Sequence, residues 1–336
     1  MRKWLVVLLV VSLVVTLVGC GGSGSRSEQP KNANSAWVPT RDIEFIIPFA
    51  AGGGNDIMVR KLIEIIQRNK MLPVNIVPVS KPGGSGVVGY TYLHSKGKTN
   101  EYALASTSAS FYTQPLTGNS PFTPDDKSFT FIAHLAKDPV ALVSIGSTGF
   151  KSLQELVDYA KKSPGKLKFA GTGIASDDAI ICGLLNKTFG IEIVYVPYNA
   201  AGEMLQALLG GHVQLATLAP AEALEHMKTG ALTPLAASAD ARLSQLPNVA
   251  TFKELGYDIN QQQSRAIVMA PGVDPKVQAY YSDLFKRVSE TPEWKEFLKA
   301  GNMSDAYMDH KAFAAYAVTM KERYANALAM IKDTKK

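Results

Sequence analysis

The chain has 336 residues, a formal net charge of +6 and two cysteines. That length is sufficient for two domains, each with an apolar core of its own. The lysines are scattered and form no long run of like charge. The composition therefore argues against a nucleic-acid-binding protein.

The N-terminus has the features of a secretory signal peptide. Arg2 and Lys3 precede an apolar segment, residues 4–18, which is shorter than the roughly 20 residues that cross a bilayer comfortably. The segment ends at Cys20 in the sequence Leu-Val-Gly-Cys, which resembles the bacterial lipobox, where the cysteine becomes the lipid-modified first residue. The alternative is an ordinary signal peptide with a chance cysteine. We predict a lipoprotein signal peptide over residues 1–19, lipid on Cys20 and a flexible tether over residues 20–39.

The most informative segment follows the first predicted strand. It reads Pro-Phe-Ala-Ala-Gly-Gly-Gly-Asn-Asp over residues 48–56 and precedes an amphipathic helical pattern. Glycines let a ligand approach the backbone because no Cβ intervenes. Free N–H groups and the positive end of the helix dipole favour an anion at such a turn. We therefore predict a site for a carboxylate or a phosphate, with ligand contacts from Phe49, Ala50, Gly52, Gly53, Gly54 and Asn55.

A second glycine-rich turn carries the pattern Gly84-x-Gly86-x-x-Gly89 between a predicted strand and a predicted helix. The pattern is similar to a dinucleotide-binding fingerprint, which also needs an acidic residue about 20 positions later. Residues 104–112 contain neither Asp nor Glu, so an anion-binding turn fits better. A purely structural tight turn is the alternative. We predict ligand contacts from Ser85 and Gly86.

Strand and helix patterns alternate along the rest of the chain, which predicts parallel sheets flanked by helices. At a further strand-turn-helix junction, residues 171–178, the hydroxyls of Thr172 and Ser176 could bind ligand oxygens, although Ser176 fits a helix cap equally well. Another such junction, residues 197–202, carries Asn199. Asp177 and Asp178 would repel an anion, so we expect them to point away from the cleft. The other polar or glycine residues predicted to contact the ligand are Thr107, Ser108, Gly173, Tyr198 and Asn199.

The sequence shows no motif for catalysis, metal binding or cofactor chemistry, which leaves an enzyme hypothesis without a reaction to name. Cys182 lies in an apolar helical pattern and is predicted to be a buried, inert thiol. The five histidines show no metal-ligand spacing, and neither a nucleophile elbow nor a Gly-Lys-Ser/Thr phosphate loop occurs. We therefore predict no catalytic residues, no metal and no cofactor.

Several of these segments together resemble the substrate-binding proteins of tripartite tricarboxylate transporters. The resemblance begins with Ile-Pro-Phe-Ala-Ala-Gly-Gly-Gly-Asn-Asp at residues 47–56 and Arg60. It extends in order across nearly the whole chain after the tether. The other matching segments are residues 81–86, 196–201, 208–213, 246–256 and 270–273.

The resemblance implies a type II periplasmic-binding-protein fold, in which two α/β domains enclose a ligand cleft. It implies a monomeric receptor outside the cytoplasm that delivers a small carboxylate to permease subunits driven by an ion gradient. The lipid anchor points to a Gram-positive-type envelope. Family members often have a histidine where this chain has Asp178 or Ala179, so the distal end of the ligand is read differently here. The predicted domains are residues 40–137 plus 239–336, and residues 138–238.

Two other function classes stay open at the level of sequence. One is a secreted α/β enzyme that acts on an anionic or nucleotide-like substrate. The other is an envelope interaction protein whose cleft binds nothing, since a fold alone does not prove a function. A bound carboxylate would discriminate the receptor from both.

Overall fold

The computed structural model describes residues 37–97 and 100–332. The predicted signal peptide, Cys20 and most of the predicted tether lie outside the described residues. Within them, strands and helices alternate and form two sheets. We call the half of the molecule built on each sheet the first lobe and the second lobe, in chain order.

The chain begins in the first lobe and then moves to the second. The first segment contains β1 (Ile43–Ile47), α1 (Gly54–Arg68), β2 (Ile76–Ser80), α2 (Val87–Ser95), β3 (Ala103–Thr107), α3 (Ala109–Leu116) and β4 (Thr130–Asp138). The second lobe contains β5 (Val140–Ile145), α4 (Leu153–Lys162), β6 (Leu167–Thr172), α5 (Asp177–Phe189), β7 (Ile193–Tyr198), α6 (Ala201–Leu209), β8 (Leu215–Leu218), α7 (Pro220–Lys228) and β9 (Leu232–Ser238).

The chain then returns to the first lobe. This last segment contains β10 (Gln263–Met269), α8 (Pro275–Ser289), α9 (Pro292–Gly301), β11 (Ser304–Met308) and α10 (His310–Lys332). The first sheet has the order β11-β4-β10-β3-β1-β2, and the second has the order β7-β6-β8-β5-β9. The predicted α/β class is confirmed.

The expectation of parallel sheets is only partly right. β1 pairs in parallel with β2 and β3, and β6 pairs in parallel with β7 and β8. By contrast, β10 is antiparallel to β3 and β4, and β5 is antiparallel to β8 and β9. Both of these strands follow a passage from the other lobe, so the right-handed crossover that makes neighbouring strands parallel does not apply to them.

The passage from the first to the second lobe is very short. β4 ends at Asp138, β5 begins at Val140, and only Pro139 separates them. Proline has no backbone N–H, so it can end pairing in one sheet without leaving a donor unsatisfied. The return passage is longer, between Ser238 and Gln263.

The first lobe is held together by the apolar side of α1. Met58, Leu62, Ile65 and Ile66 are buried, as their helical spacing predicts, and they pack in one cluster with Phe45 of β1. Each such side chain contributes about 1.5–3 kcal/mol when it is fully buried. This packing fixes the start of α1 against the end of β1, where the first glycine turn lies.

The last helix contacts both lobes. α10 packs on β4 and α3 of the first lobe and on α5 of the second. The Tyr324 ring stacks on Tyr112 with ring centroids 5.5 Å apart, and its hydroxyl donates a hydrogen bond to Asp177 Oδ1 at 2.7 Å. The C-terminal helix therefore connects the first lobe to the start of α5.

Candidate functional site

A cavity of about 520 Å³ lies between the two sheets, lined by loops from both lobes. Its volume is within the range of about 300–1,000 Å³ that is typical of small-molecule sites. The predicted contact residues that line it are Phe49, Ala50, Gly53, Gly54, Asn55, Ser85, Gly86 and Ser108 in the first lobe, and Thr172, Gly173, Ser176, Tyr198 and Asn199 in the second. The structure thus brings together loops that are far apart in the sequence.

Two predicted contact residues, Gly52 and Thr107, are not among the residues that line the cavity. The N–H of Gly52 donates to Asp56 Oδ2 at 2.9 Å, and Asp56 is also paired with Arg60 at 2.9 Å. Burial raises the pKa of Asp56, but the hydrogen bonds from Arg60 and Gly52 outweigh it and the net pKa is lowered. Thr107 is buried in β3, and its hydroxyl donates to the carbonyl of Ala266 at 3.4 Å.

The start of α1 leaves backbone donors at the cavity wall. The first helical hydrogen bond runs from the N–H of Ile57 to the carbonyl of Gly53 at 3.0 Å. The amides of Gly54 and Asn55 precede it and have no partner within the helix. No side chain caps this terminus. These donors and the helix dipole favour an anion in the cavity.

The two central glycines of this loop differ in what they allow. A Cβ on Gly54 would lie 2.6 Å from Arg265 Nη2, so a side chain there would displace the guanidinium group. A Cβ on Gly53 would meet only the carbonyl oxygen of Ala50, at 3.4 Å, which is an ordinary contact. The protein itself therefore leaves room beside Gly53, on the side of the loop that lines the cavity.

The second glycine turn has an unusual backbone that brings the lobes close together. Ser85 has a φ of 52°, in the left-handed region that non-glycine residues seldom adopt. Gly173 of the second lobe has a φ of 73°, and a Cβ there would lie 2.7 Å from Ser85 Oγ. Any side chain at position 173 would therefore press on Ser85 from across the cavity.

Arg265 is the only basic residue among the described residues that line the cavity. It lies on β10, is buried and forms an ion pair with Asp138 of the neighbouring β4. With its amide nitrogen directed to the Thr107 carbonyl at 3.2 Å, Asn55 accepts from Arg265 Nη1 at 3.1 Å. Arg265 Nε has no hydrogen-bond partner among the described residues. One donor of the guanidinium therefore stays unused in the wall of the cavity.

The expectation that Asp177 and Asp178 point away from the cleft is wrong. Both are buried and line the cavity at the start of α5. Asp178 accepts from the N–H of Thr172 at 2.9 Å, from its hydroxyl at 2.8 Å and from the hydroxyl of Thr217 at 2.5 Å. The helix dipole stabilises these acids, and Asp178 takes up the donors at the end of β6. The Thr172 hydroxyl predicted to meet the ligand already donates its proton inside the protein.

Burial shifts the protonation of both acids. It raises the pKa of Asp177 to about 7, with a smaller upward contribution from the charge of Asp178 that opposes the downward effect of the Tyr324 hydroxyl. Burial likewise raises the pKa of Asp178, although the hydrogen bonds from Thr172 and Thr217 lower it in part. Asp177 Oδ2 has no hydrogen-bond partner in the described part of the chain.

Ser176 acts as the cap of α5. Its hydroxyl accepts from the N–H of Ala179 at 3.3 Å and lies 3.2 Å from the hydroxyl of Tyr195. The Tyr195 hydroxyl in turn donates to the carbonyl of Gly173 at 2.6 Å. Capping is thus established, while a ligand contact by Ser176 stays a prediction.

Glu222 is a lining residue that the sequence reading did not identify. It is the third residue of α7, directly after β8, and its side chain is accessible from the cavity. Burial raises the pKa of Glu222, and the nearby charge of Asp138 raises it further. Glu222 forms no ion pair with any residue that the structure describes.

Acidic side chains therefore outnumber basic ones in the cavity wall. Among the described lining residues, Asp138, Asp177, Asp178 and Glu222 face the base Arg265, and burial disfavours the charged forms of Asp177, Asp178 and Glu222. Among residues 37–97 and 100–332, no group of three or more His, Cys, Asp or Glu side chains is placed to hold a metal ion.

The thiol of Cys182 is buried, and burial raises its pKa to about 12. None of the described helices is long and apolar enough to span a membrane.

Two α/β lobes with a cavity of ligand size between them are the architecture of the periplasmic binding proteins. The model of the family described as the tripartite tricarboxylate transporter family receptor matches residues 59–334. The chain therefore belongs to this family of receptors, and the resemblance seen in the sequence is confirmed.

Individual relatives agree with this placement. The chain is similar to the "UPF0065 protein in gbd 5'region" of Cupriavidus necator, at 31% identity over 88% of this chain and 89% of the relative. It is similar in structure to a ligand-free TctC solute-binding protein from Polaromonas, with a TM-score of 0.69, 27% identity and coverage of 87% of this chain and 99% of that one. MatC from Rhodopseudomonas palustris with bound malate shares the fold, with a TM-score of 0.75, 21% identity and coverage of 86% and 99%.

Proposed function

We propose that this receptor captures a small organic carboxylate and delivers it to the permease subunits of a tripartite transporter driven by an ion gradient. The observation that carries the proposal is the uncapped start of α1, with its free amides beside Arg265, in the wall of a cavity of ligand size. The malate bound to MatC, which has the same fold, supports a carboxylate as the class of ligand.

The anion would be held mainly by backbone donors. The amides of Gly54, Asn55 and Ser85 lie along one wall, and Ser108 lies beside them. The N–H groups of Gly53 and Gly86, also predicted to bind the ligand, already donate to the carbonyls of Ala50 at 3.4 Å and Gly83 at 3.0 Å. Hydrogen bonds to a charged group are worth about 1.5–3 kcal/mol each, so a few of them are sufficient for micromolar binding. In the second lobe, Thr172, Gly173, Ser176, Tyr198 and Asn199 would complete the site.

A thermal-shift screen tests the proposed ligand class. A ligand at about 100 times its dissociation constant adds roughly 2.7 kcal/mol to the free energy of unfolding. We expect stabilisation by at least one small carboxylate and none by nucleotides or dinucleotides. Stabilisation by NAD or ATP alone would support the secreted enzyme instead, and no response to any compound would support the interaction protein. Mass spectrometry of compounds that co-purify with the protein would identify the natural ligand.

We further propose two domains that close on the ligand, residues 40–137 plus 239–336 and residues 138–238. The change of sheet at Pro139 and the return between Ser238 and Gln263 support this division. Small-angle X-ray scattering should give a smaller radius of gyration with saturating ligand. An unchanged scattering curve would contradict a hinged closure.

We also propose that the mature protein works outside the cytoplasm as a monomer, held at the cell membrane by lipid on Cys20. Two acyl chains hold a protein stably at a bilayer, whereas one does so only marginally. Replacement of Cys20 by Ser should release the protein from the membrane fraction. If the variant still sediments entirely with membranes, the anchor lies elsewhere.

A further inference from the structure

We infer that the ligand carries a protonated amine in addition to its carboxylate, and that Asp177 and Glu222 bind this amine. The inference rests on the proposed function, because it adds a second recognition element to the same cavity. It follows from how donors and acceptors are distributed over the two walls.

Acidic side chains outnumber basic ones among the described residues of the cavity wall. Arg265 is already paired with Asp138, so these two charges offset each other. Three acids remain, Asp177, Asp178 and Glu222, and apart from Arg265 none of the lining residues in the described part of the chain is basic. A ligand with carboxylates at both ends would place a second negative charge beside acids whose own charged forms burial already disfavours.

The acids in the cavity wall differ in whether their oxygens already accept hydrogen bonds from the protein. Asp178 accepts three hydrogen bonds, two from Thr172 and one from Thr217, so the second lobe already satisfies it. Asp177 has one satisfied oxygen, Oδ1, which accepts from Tyr324, and one buried oxygen, Oδ2, without a partner among the described residues. Glu222 lines the cavity and forms no ion pair with a described residue, and the cation that acts on it, Arg265, is already paired with Asp138. Buried unpaired acceptors are costly, and a ligand ammonium has three donors to offer.

The unused hydrogen-bond donors and the unused acceptors lie on different lobes. Unused donors belong to the first lobe, at the start of α1 and at Arg265 Nε. Unused acceptors belong to the second lobe, at the starts of α5 and α7, where Asp177 and Glu222 lie. A ligand with a carboxylate and an ammonium group can satisfy both walls when it lies across the cavity. The chemical class indicated is an amino acid or a related zwitterion.

Calorimetry with pairs of ligands that differ only in the amine tests the inference. Succinate against aspartate and glutarate against glutamate are suitable pairs. We expect the amine-bearing member of at least one pair to bind about 10- to 100-fold more tightly, the effect of one charge-assisted hydrogen bond or ion pair. Equal or tighter binding of the amine-free members would overturn the inference and leave the proposed function intact. If no carboxylate of either kind binds, the proposed function itself fails.

Variants assign the effect to the two acids. Glu222→Gln and Asp177→Asn should each weaken binding of the amine-bearing ligand about 10-fold and leave the amine-free ligand unchanged or bound more tightly. Glu225→Gln is the matched control, because Glu225 lies on the same helix, is exposed and pairs with Lys228 outside the cavity. If Asp177→Asn does not fold, Glu222→Gln decides the test alone. Equal losses for both members of a pair, or uptake of protons when succinate binds, would show that the acids do not recognise an amine.

Discussion

The starts of α1 and α5 follow the same pattern in sequence, a strand, a small-residue turn and a helix. They differ in whether side chains of the protein already bind the backbone donors of the turn. At α1 no side chain caps the terminus, and the amides of Gly54 and Asn55 stay available. At α5, Ser176 caps the helix, and Asp178 binds the amide and hydroxyl of Thr172. The turn at α1 therefore keeps backbone donors of the kind that the turn at α5 has already used.

The largest expected effect is a pH dependence of the free energy of unfolding, caused by Asp177 at the start of α5. The pKa of Asp177 is raised from 3.8 to about 7, so the folded protein binds more protons than the unfolded chain between about pH 4 and pH 7. The free energy of unfolding should therefore fall as pH rises through this window, by up to about 4 kcal/mol at about 1.36 kcal/mol per pKa unit. Asp178, Tyr324, Arg265 and Arg323 are the charged or titratable groups that influence Asp177.

Urea denaturation of the wild type and of Asp177→Asn from pH 4 to pH 8 checks this expectation. The difference between the two proteins isolates Asp177 from the other acids, because asparagine keeps an acceptor for Tyr324 but does not titrate. The variant should gain on the wild type as pH rises from 4 to 7. A constant difference across that range would show that Asp177 does not carry the effect.

The next effect tests the α1 side by filling the space beside the loop. Gly53→Val should weaken carboxylate binding about 100-fold, the loss of one or two charged hydrogen bonds at about 1.5–3 kcal/mol each. Gly53→Ala should fold normally, since its methyl group would meet only the Ala50 carbonyl, and should lower affinity by a smaller factor. Isothermal titration calorimetry measures both. Wild-type affinity in Gly53→Val would refute binding by these amides.

The third prediction concerns the start of α5, where removal of the Asp178 carboxylate would leave its hydrogen-bond donors without an acceptor. Asp178→Ala should lower the free energy of unfolding by about 2 kcal/mol, because the amide and hydroxyl of Thr172 and the hydroxyl of Thr217 lose their acceptor. Asp178→Asn keeps one acceptor oxygen and should lose less. Chemical denaturation at pH 8 compares the three proteins, and equal stability of all three would mean that these hydrogen bonds contribute nothing net.

The smallest effect should come from a charge outside both termini. Lys81 lies over the ring of Tyr92, with Nζ 4.4 Å from its centroid, and is not a lining residue. Lys81→Ala should change the equilibrium affinity less than about threefold and act mainly on the association rate at low salt, as a rim charge does. Stopped-flow binding at two salt concentrations checks this. If Lys81→Ala abolishes binding while Gly53→Val does not, a side-chain cation holds the anion.

Local sequence patterns predicted one wall of the cavity better than the other. The loop at Gly53 and the turn at Ser85 were recognisable, because glycine, helix start and strand end are neighbours in the sequence. The engagement of Thr172 by Asp178 spans only six residues, but the choice between a cap, an internal bond and a ligand contact depends on side-chain directions. The sequence indicated what could bind an anion but not which donors were already used.

The residues that were missed depend on distant pairing. Arg265 and Asp138 are 127 positions apart and meet because β10 lies antiparallel to β4. Nothing in local periodicity shows that pairing, and the same gap explains the incorrect expectation of fully parallel sheets. One signal was present: Arg265 precedes an apolar strand pattern, where a charged residue is rare unless it is paired.

The bond between Tyr324 and Asp177 has a consequence for shortened forms of the protein. Arg265 is the last described residue along the chain that lines the cavity. The hydroxyl that satisfies Asp177 lies 59 residues further on, in the last helix (324 − 265 = 59). A chain that ended before this helix would therefore contain the described lining residues and still lack the donor that Asp177 uses in the complete protein.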